Sequence, residues 1–189
     1  YGARSRDFVK ALIELDEYEI SIIPQRWGNT PENFIEQNKK EWGFLQKHLI
    51  LGLQSKPDIW CQVTVPNEFQ PMGKYNIGLT AGMETTLVHS SWIEGCNRMD
   101  IILTSSQHSK TTFINSQYKA KEGGHVLKVE KPIEVLFEGV NLDVYKKIKT
   151  FTNQDLKDSI QSIPEDFAYL VVGHWMQGEM GHDRKNIGL

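Results

Sequence analysis

The sequence predicts an α/β fold: a mostly parallel sheet flanked by helices, with a small β-hairpin inserted near residues 118–131. Two observations carry this. Apolar runs of strand length alternate with segments whose apolar residues recur at helical spacing. Each run also ends in a polar or turn-forming cluster, and a β-α-β-α order of this kind implies parallel strands under covering helices.

The elements follow in order. Residues 4–15 place Phe8, Leu12 and Leu15 on one face, an amphipathic helix. Residues 18–24 (YEISIIP) read as a strand ended by proline. Thr30 caps a helix with Pro31 and Glu32 in its first turn, positions that suit both residues. Phe34, Asn38, Trp42, Leu45 and Leu49 then extend it to roughly five turns, with Gly43 costing about 1 kcal/mol relative to alanine. Residues 59–65 alternate as a strand, and Pro66, Asn67 and Glu68 form a second loop expected to be functional. Residues 76–80 are the next strand, and 81–86 lead away from it. Ser91 and Glu94 have the spacing of a capping box, with Trp92, Cys96 and Met99 following at helical intervals. Residues 100–104 form an apolar strand, after which Ser105 and Ser106 stop it and cap a helix carrying Lys110 and Phe113. The alternating, lysine-flanked residues 118–131 predict the hairpin. Residues 142–149 are a turn or short helix, and Thr152 caps a helix with Leu156, Ile160 and Ile163 inward. Residues 167–173 have the pattern of a buried strand.

The 189 residues suffice for one domain with a substantial core and a fragment of another. Hydrophobic content of 39% and a charged fraction of 24% are those of a globular chain. A net charge of −3 leaves no electrostatic footprint for nucleic acid. No apolar run approaches the roughly 18 residues of a spanning helix, and no leader is recognisable. Cys61 and Cys96 read as reduced core residues, and a cytoplasmic location is expected.

Several segments also resemble a known family. Glu84-Thr85, Trp92, the turn of Asn97 to Asp100, and Ser105-Ser106 with Lys110 are similar in order and spacing to the N-terminal domain of group 1 retaining glycosyltransferases, which have the two-Rossmann-domain (GT-B) architecture. Tyr1-Gly2-Ala3-Arg4 is similar to the glycine-bearing turn that opens their first helix. Residues 133–141 (IEVLFEGVN) are similar to the strand that closes that domain. The resemblance implies a Rossmann-like acceptor-side domain over 1–141 whose first strand is missing, a helical linker over 142–165, and the opening of a truncated donor-binding domain over 166–189. A missing first strand implies a gap in the middle of the sheet. Residues 167–173 are candidates to fill it, within the chain or across a strand-swapped homodimer.

The implied activity is sugar transfer from a nucleotide-sugar to an acceptor hydroxyl, on a carbohydrate or another molecule, with no metal required. In sheets of this kind ligands sit at the carboxyl ends of the strands, which selects Glu84, Thr85, Ser105 and Ser106. Glu84 either orients or deprotonates an acceptor hydroxyl, or caps the next helix. Thr85 and His89 are candidate substrate contacts, although a lone histidine in a polar loop is more often a surface residue. Gly2 and Arg4 open the first helix, where backbone N–H groups can meet a phosphate. Arg184 and Lys185 are either diphosphate-neutralising cations or a solvated turn. The resembling enzymes carry a pair of donor-gripping glutamates later in their second domain, and that element is absent here, so the isolated chain is expected to be inactive. The competing reading is a non-catalytic sugar- or nucleotide-binding module. A dehydrogenase or hydrolase is disfavoured by the lack of G-x-G-x-x-G and G-x-S-x-G.

Overall fold

The computed structural model describes residues 1–26, 32–119, 124–148, 150 and 152–169. The chain divides into two units, Tyr1–Gly139 and Val140–Leu189.

The first unit is built on a four-stranded parallel sheet, ordered β1 (Ile59–Val63), β2 (Tyr75–Thr80), β3 (Ile101–Thr104) and β6 (Ile133–Val135). Ile59 pairs with Tyr75, Ile77 with Ile101, and Ile102 with Ile133. Parallel neighbours need long crossovers. The one from β2 to β3 carries α4 (Ser90–Asn97), and the one from β3 to β6 carries α5 (Gln107–Asn115) and the hairpin of β4 (Tyr118–Lys119) and β5 (Val126–Leu127). The expected hairpin is present as an antiparallel pair, Tyr118 opposite Leu127. Asn97 clamps its exit, donating to the Lys128 carbonyl at 2.9 Å and accepting from the Glu130 N–H at 2.8 Å.

The core lies where Ile102 and Ile133 meet Phe69, Val88, Ile93, Cys96, Met99 and Phe113. Trp92 stacks on Phe113 with ring centroids 6.0 Å apart. Cys61 and Cys96 are unbridged, and burial pushes both thiols up to about 12, so they stay protonated.

Ahead of the sheet, α1 (Gly2–Leu15) packs Arg6 over the Phe34 ring at 3.5 Å, a cation–π contact. It ends at Asp16 in the left-handed region, which a short polar side chain tolerates.

Several expectations are corrected. The long helix after Thr30 is instead three short pieces, α2 (Phe34–Gln37), α3 (Lys39–Trp42) and a 3₁₀ segment Gly43–His48, while Thr30 and Pro31 lie outside the described residues. Asn38 breaks it by donating its side-chain amide to the Phe34 carbonyl at 2.8 Å, a bond that competes with helix propagation. The strand expected over 18–24 shrinks to a single bridge between Ile22 and Leu49, because the Ile20 carbonyl meets the His48 ring instead of a neighbouring strand. Strand β6 stops at Val135, and Phe137 beyond it is 80% exposed. The gap expected inside the sheet does not fall between these four strands, which pair consecutively. Residues 170–173 of the segment expected to fill it lie outside the described residues, and Phe167 and Tyr169 are exposed.

In the second unit, α6 (Gln154–Gln161) is capped by Asn153 rather than Thr152, the Asn153 carbonyl oxygen accepting from the Leu156 N–H at 3.0 Å. Leu156, Ile160 and Ile163 are exposed, not inward. Among the described residues no helix is long and apolar enough to cross a membrane.

Candidate functional site

Register places three threonines side by side at the carboxyl ends of the strands. Thr80 pairs with Thr104, and Thr64 follows the Val63–Leu79 pair, its N–H donating to the Leu79 carbonyl at 3.1 Å. All three are fully buried, so each hydroxyl requires a partner. Each finds one in a different loop or helix, and together they anchor the loops of this edge.

Thr80 meets the Tyr1 hydroxyl at 3.0 Å, and Tyr1 also accepts from the Ala81 N–H at 3.4 Å. This brings the start of α1 to the end of β2. Gly2 opens that helix, and among the described residues no side chain caps it. Arg4 is already engaged: its guanidinium donates to Glu138 at 2.7 Å and to the Leu136 carbonyl at 2.6 Å, tying α1 to the chain after β6.

Loop 81–88 leaves β2 and runs along α5. Ser105 and Ser109 donate to the Ala81 carbonyl at 2.7 and 3.1 Å, Thr112 donates to the Thr85 carbonyl at 3.1 Å, and the Val88 N–H donates to Ser116 at 2.9 Å. Ser109, Thr112 and Ser116 are buried and recur at intervals of three or four, so they form one polar stripe on the helix. Gly82 has φ +77°, and a Cβ there would lie 2.4 Å from the Ser109 hydroxyl. The loop is therefore held on both sides of Glu84, which is itself exposed. The Thr85 hydroxyl turns inward along its own loop to the Leu87 carbonyl at 2.8 Å.

Ser106 caps α5 as expected, accepting from the Ser109 N–H at 3.1 Å. The predicted capping box at Ser91 is replaced. His89 is the N-cap of α4, its Nδ1 accepting from the Ser91 N–H at 3.2 Å and meeting the Ser91 hydroxyl at 2.9 Å. That nitrogen serves the helix, whatever the rest of the ring does.

Beside these lies the second loop that the sequence marks as functional, without naming a residue in it that acts. After β1 the chain turns at Pro66–Glu68. Thr64 donates its hydroxyl to Glu68 Oε2 at 2.5 Å, and Gln25 donates its amide to the same oxygen at 3.3 Å. Gln62 brackets the turn, accepting from the Gln70 N–H at 2.8 Å and donating to the Glu68 carbonyl at 3.2 Å. Arg98, from the end of α4, donates to the Asn67 and Phe69 carbonyls, both at 2.8 Å.

Glu84 and Thr85 thus lie in the loop leaving β2, Gly2 and Arg4 lie in α1, which Tyr1 joins to the end of β2 and Arg4 to the chain after β6, and His89 starts the following helix. Arg184 and Lys185 lie outside the described residues. Among the described residues no group of three or more His, Cys, Asp or Glu side chains is placed to hold a metal ion. No protein-family model, curated protein or solved structure matches the chain.

Proposed function

We propose that this chain is the acceptor-side part of a glycosyltransferase that moves a sugar from a nucleotide-sugar to an acceptor hydroxyl. The observation that carries the reading is the Tyr1–Thr80 contact, which sets the first turn of α1 against the carboxyl end of β2. Helix N-termini present N–H groups and a partial positive charge, which suits a diphosphate leaving group.

In this reading the N–H groups after Gly2 face the diphosphate. Arg4 holds the helix in place through Glu138 rather than meeting phosphate itself. Glu84, on its pinned loop, orients the acceptor hydroxyl or takes its proton as the oxygen attacks the anomeric carbon and the bond to the diphosphate breaks. Thr85 and His89 shape the same side of the crevice. Retention of anomeric configuration follows from the family resemblance alone, as does the need for no metal.

Titration of the chain with UDP and with GDP, followed by ¹H–¹⁵N NMR, tests the reading. The amides of Gly2, Ala3 and Arg4 are expected to shift. If neither nucleotide moves them, the diphosphate role of α1 is wrong.

A further inference from the structure

The turn at Pro66–Glu68 is built more firmly than a connection between two strands requires. Gly95 of α4 packs so closely on it that a Cβ would fall 1.8 Å from the Pro66 carbonyl oxygen. Arg98 and Gln62 fix its backbone from two other sides. Its carboxylate is held by one oxygen only: Oε2 receives Thr64 and Gln25, and Oε1 has no partner among the described residues. The 2.5 Å bond from a fully buried threonine has the length of a charge-assisted O–H···O⁻ contact. A side chain locked in this way has already lost the rotamer freedom that ligand binding would otherwise remove.

We propose that Glu68 is the ligand-binding carboxylate of this crevice, with Oε1 accepting a hydroxyl of a neutral polyol such as a sugar ring. The proposal deepens the glycosyl-acceptor reading above and rests on it. The surroundings select a hydroxyl over a cation: Thr64 and Gln25 hold the Glu68 carboxylate, and among the described residues no second carboxylate completes a cation site. The placement fits as well. Thr64 and Thr80 stand at the ends of neighbouring strands about 4.8 Å apart, so Glu68 Oε2 and the Tyr1 hydroxyl are no more than roughly 10 Å from each other, within the reach of a small glycoside. Thr64 acts as a positioning residue.

The test is ¹H–¹⁵N NMR titration of the full chain with methyl α-D-glucopyranoside, methyl α-D-mannopyranoside and methyl β-D-galactopyranoside. At least one glycoside is expected to shift the amides of Asn67, Glu68 and Thr80. Glu68→Gln should weaken that binding about tenfold, since it exchanges a charged acceptor for a neutral one. Thr64→Val should weaken it about threefold and Thr64→Ser restore it, which a merely structural role for the methyl-bearing side chain would not produce. Undiminished binding by both Glu68→Gln and Glu68→Asp, with dispersed spectra, overturns the assignment and leaves the crevice reading standing. If no glycoside moves a carboxyl-edge amide, the crevice reading and the assignment fall together. A glycoside bound through Glu68 without any nucleotide effect at α1 upholds the assignment and removes only the diphosphate role.

Discussion

At the amino ends of β2 and β3, Asp100 accepts from both the backbone N–H and the side-chain amide of Asn76 through one oxygen, at 2.7 and 3.0 Å. Asn76 in turn accepts from the Gly73 N–H at 2.8 Å and donates to the Gly73 carbonyl at 3.1 Å. At the carboxyl ends of these strands and of β1, Thr80, Thr104 and Thr64 hold loops and helix starts instead, and the carboxylate among them has an oxygen to spare. Both clusters are polar, and both are built on buried side chains. The amino-end cluster closes on itself and serves to start two strands in register. The carboxyl-end cluster supports groups that face outward. Counting polar residues does not distinguish a structural knot from a binding surface; following each bond to its partner does.

The comparison breaks most visibly at Gly95. If α4 is what fixes the Glu68 turn, Gly95→Ala should destabilise the fold by about 3 kcal/mol in urea denaturation, the usual cost of forcing extra volume against a backbone that has no room to move. A cost near that of a surface substitution would mean the turn yields easily and Glu68 is not held as described. Next is Asn76→Ala, which strands the Gly73 N–H and should cost about 2 kcal/mol, whereas Glu68→Gln, which keeps an oxygen acceptor for Thr64, should cost no more than about 1 kcal/mol. Equal losses at the two positions would erase the distinction between the ends.

The subtlest difference lies in pH. Hydrogen bonds from Asn76, the backbone one foremost, hold the Asp100 carboxyl below its usual range. A depressed carboxyl stabilises the fold above the unfolded value, about 3.9, and loses that contribution as pH falls through the lower folded value. The stability gap between the parent and Asp100→Asn should therefore be constant near neutrality and shrink below about pH 4. A gap independent of pH would show that the Asp100 charge contributes nothing.

Much of this architecture was legible from local pattern. The first three strands of the sheet and the Ser106-capped helix are visible because their apolar runs, lengths and caps are properties of a few adjacent residues. The hairpin is visible for the same reason. The helix after Thr30 was overread because apolar spacing is insensitive to a side chain such as that of Asn38, which bonds back to its own backbone. The N-cap of α4 was misplaced because Ser91 and Glu94 satisfy a capping pattern that His89 satisfies first in space. The stripe of Ser109, Thr112 and Ser116 was there to be read at helical spacing, but its meaning depended on the loop it receives.

The sequence by itself determined the alternation of strands and helices, and therefore which residues stand at the carboxyl edge, since burial and periodicity are encoded locally. Only the tertiary structure decided what those residues do there. Gln25 reaches Glu68, Tyr1 reaches Thr80, and Arg4 is drawn to Glu138, across separations of 43 to 134 positions, while Thr64 meets Glu68 through a turn that no short-range pattern specifies. A side chain's partner is set by how elements pack, and packing is a property of the whole sheet and its covering helices rather than of any one stretch of chain.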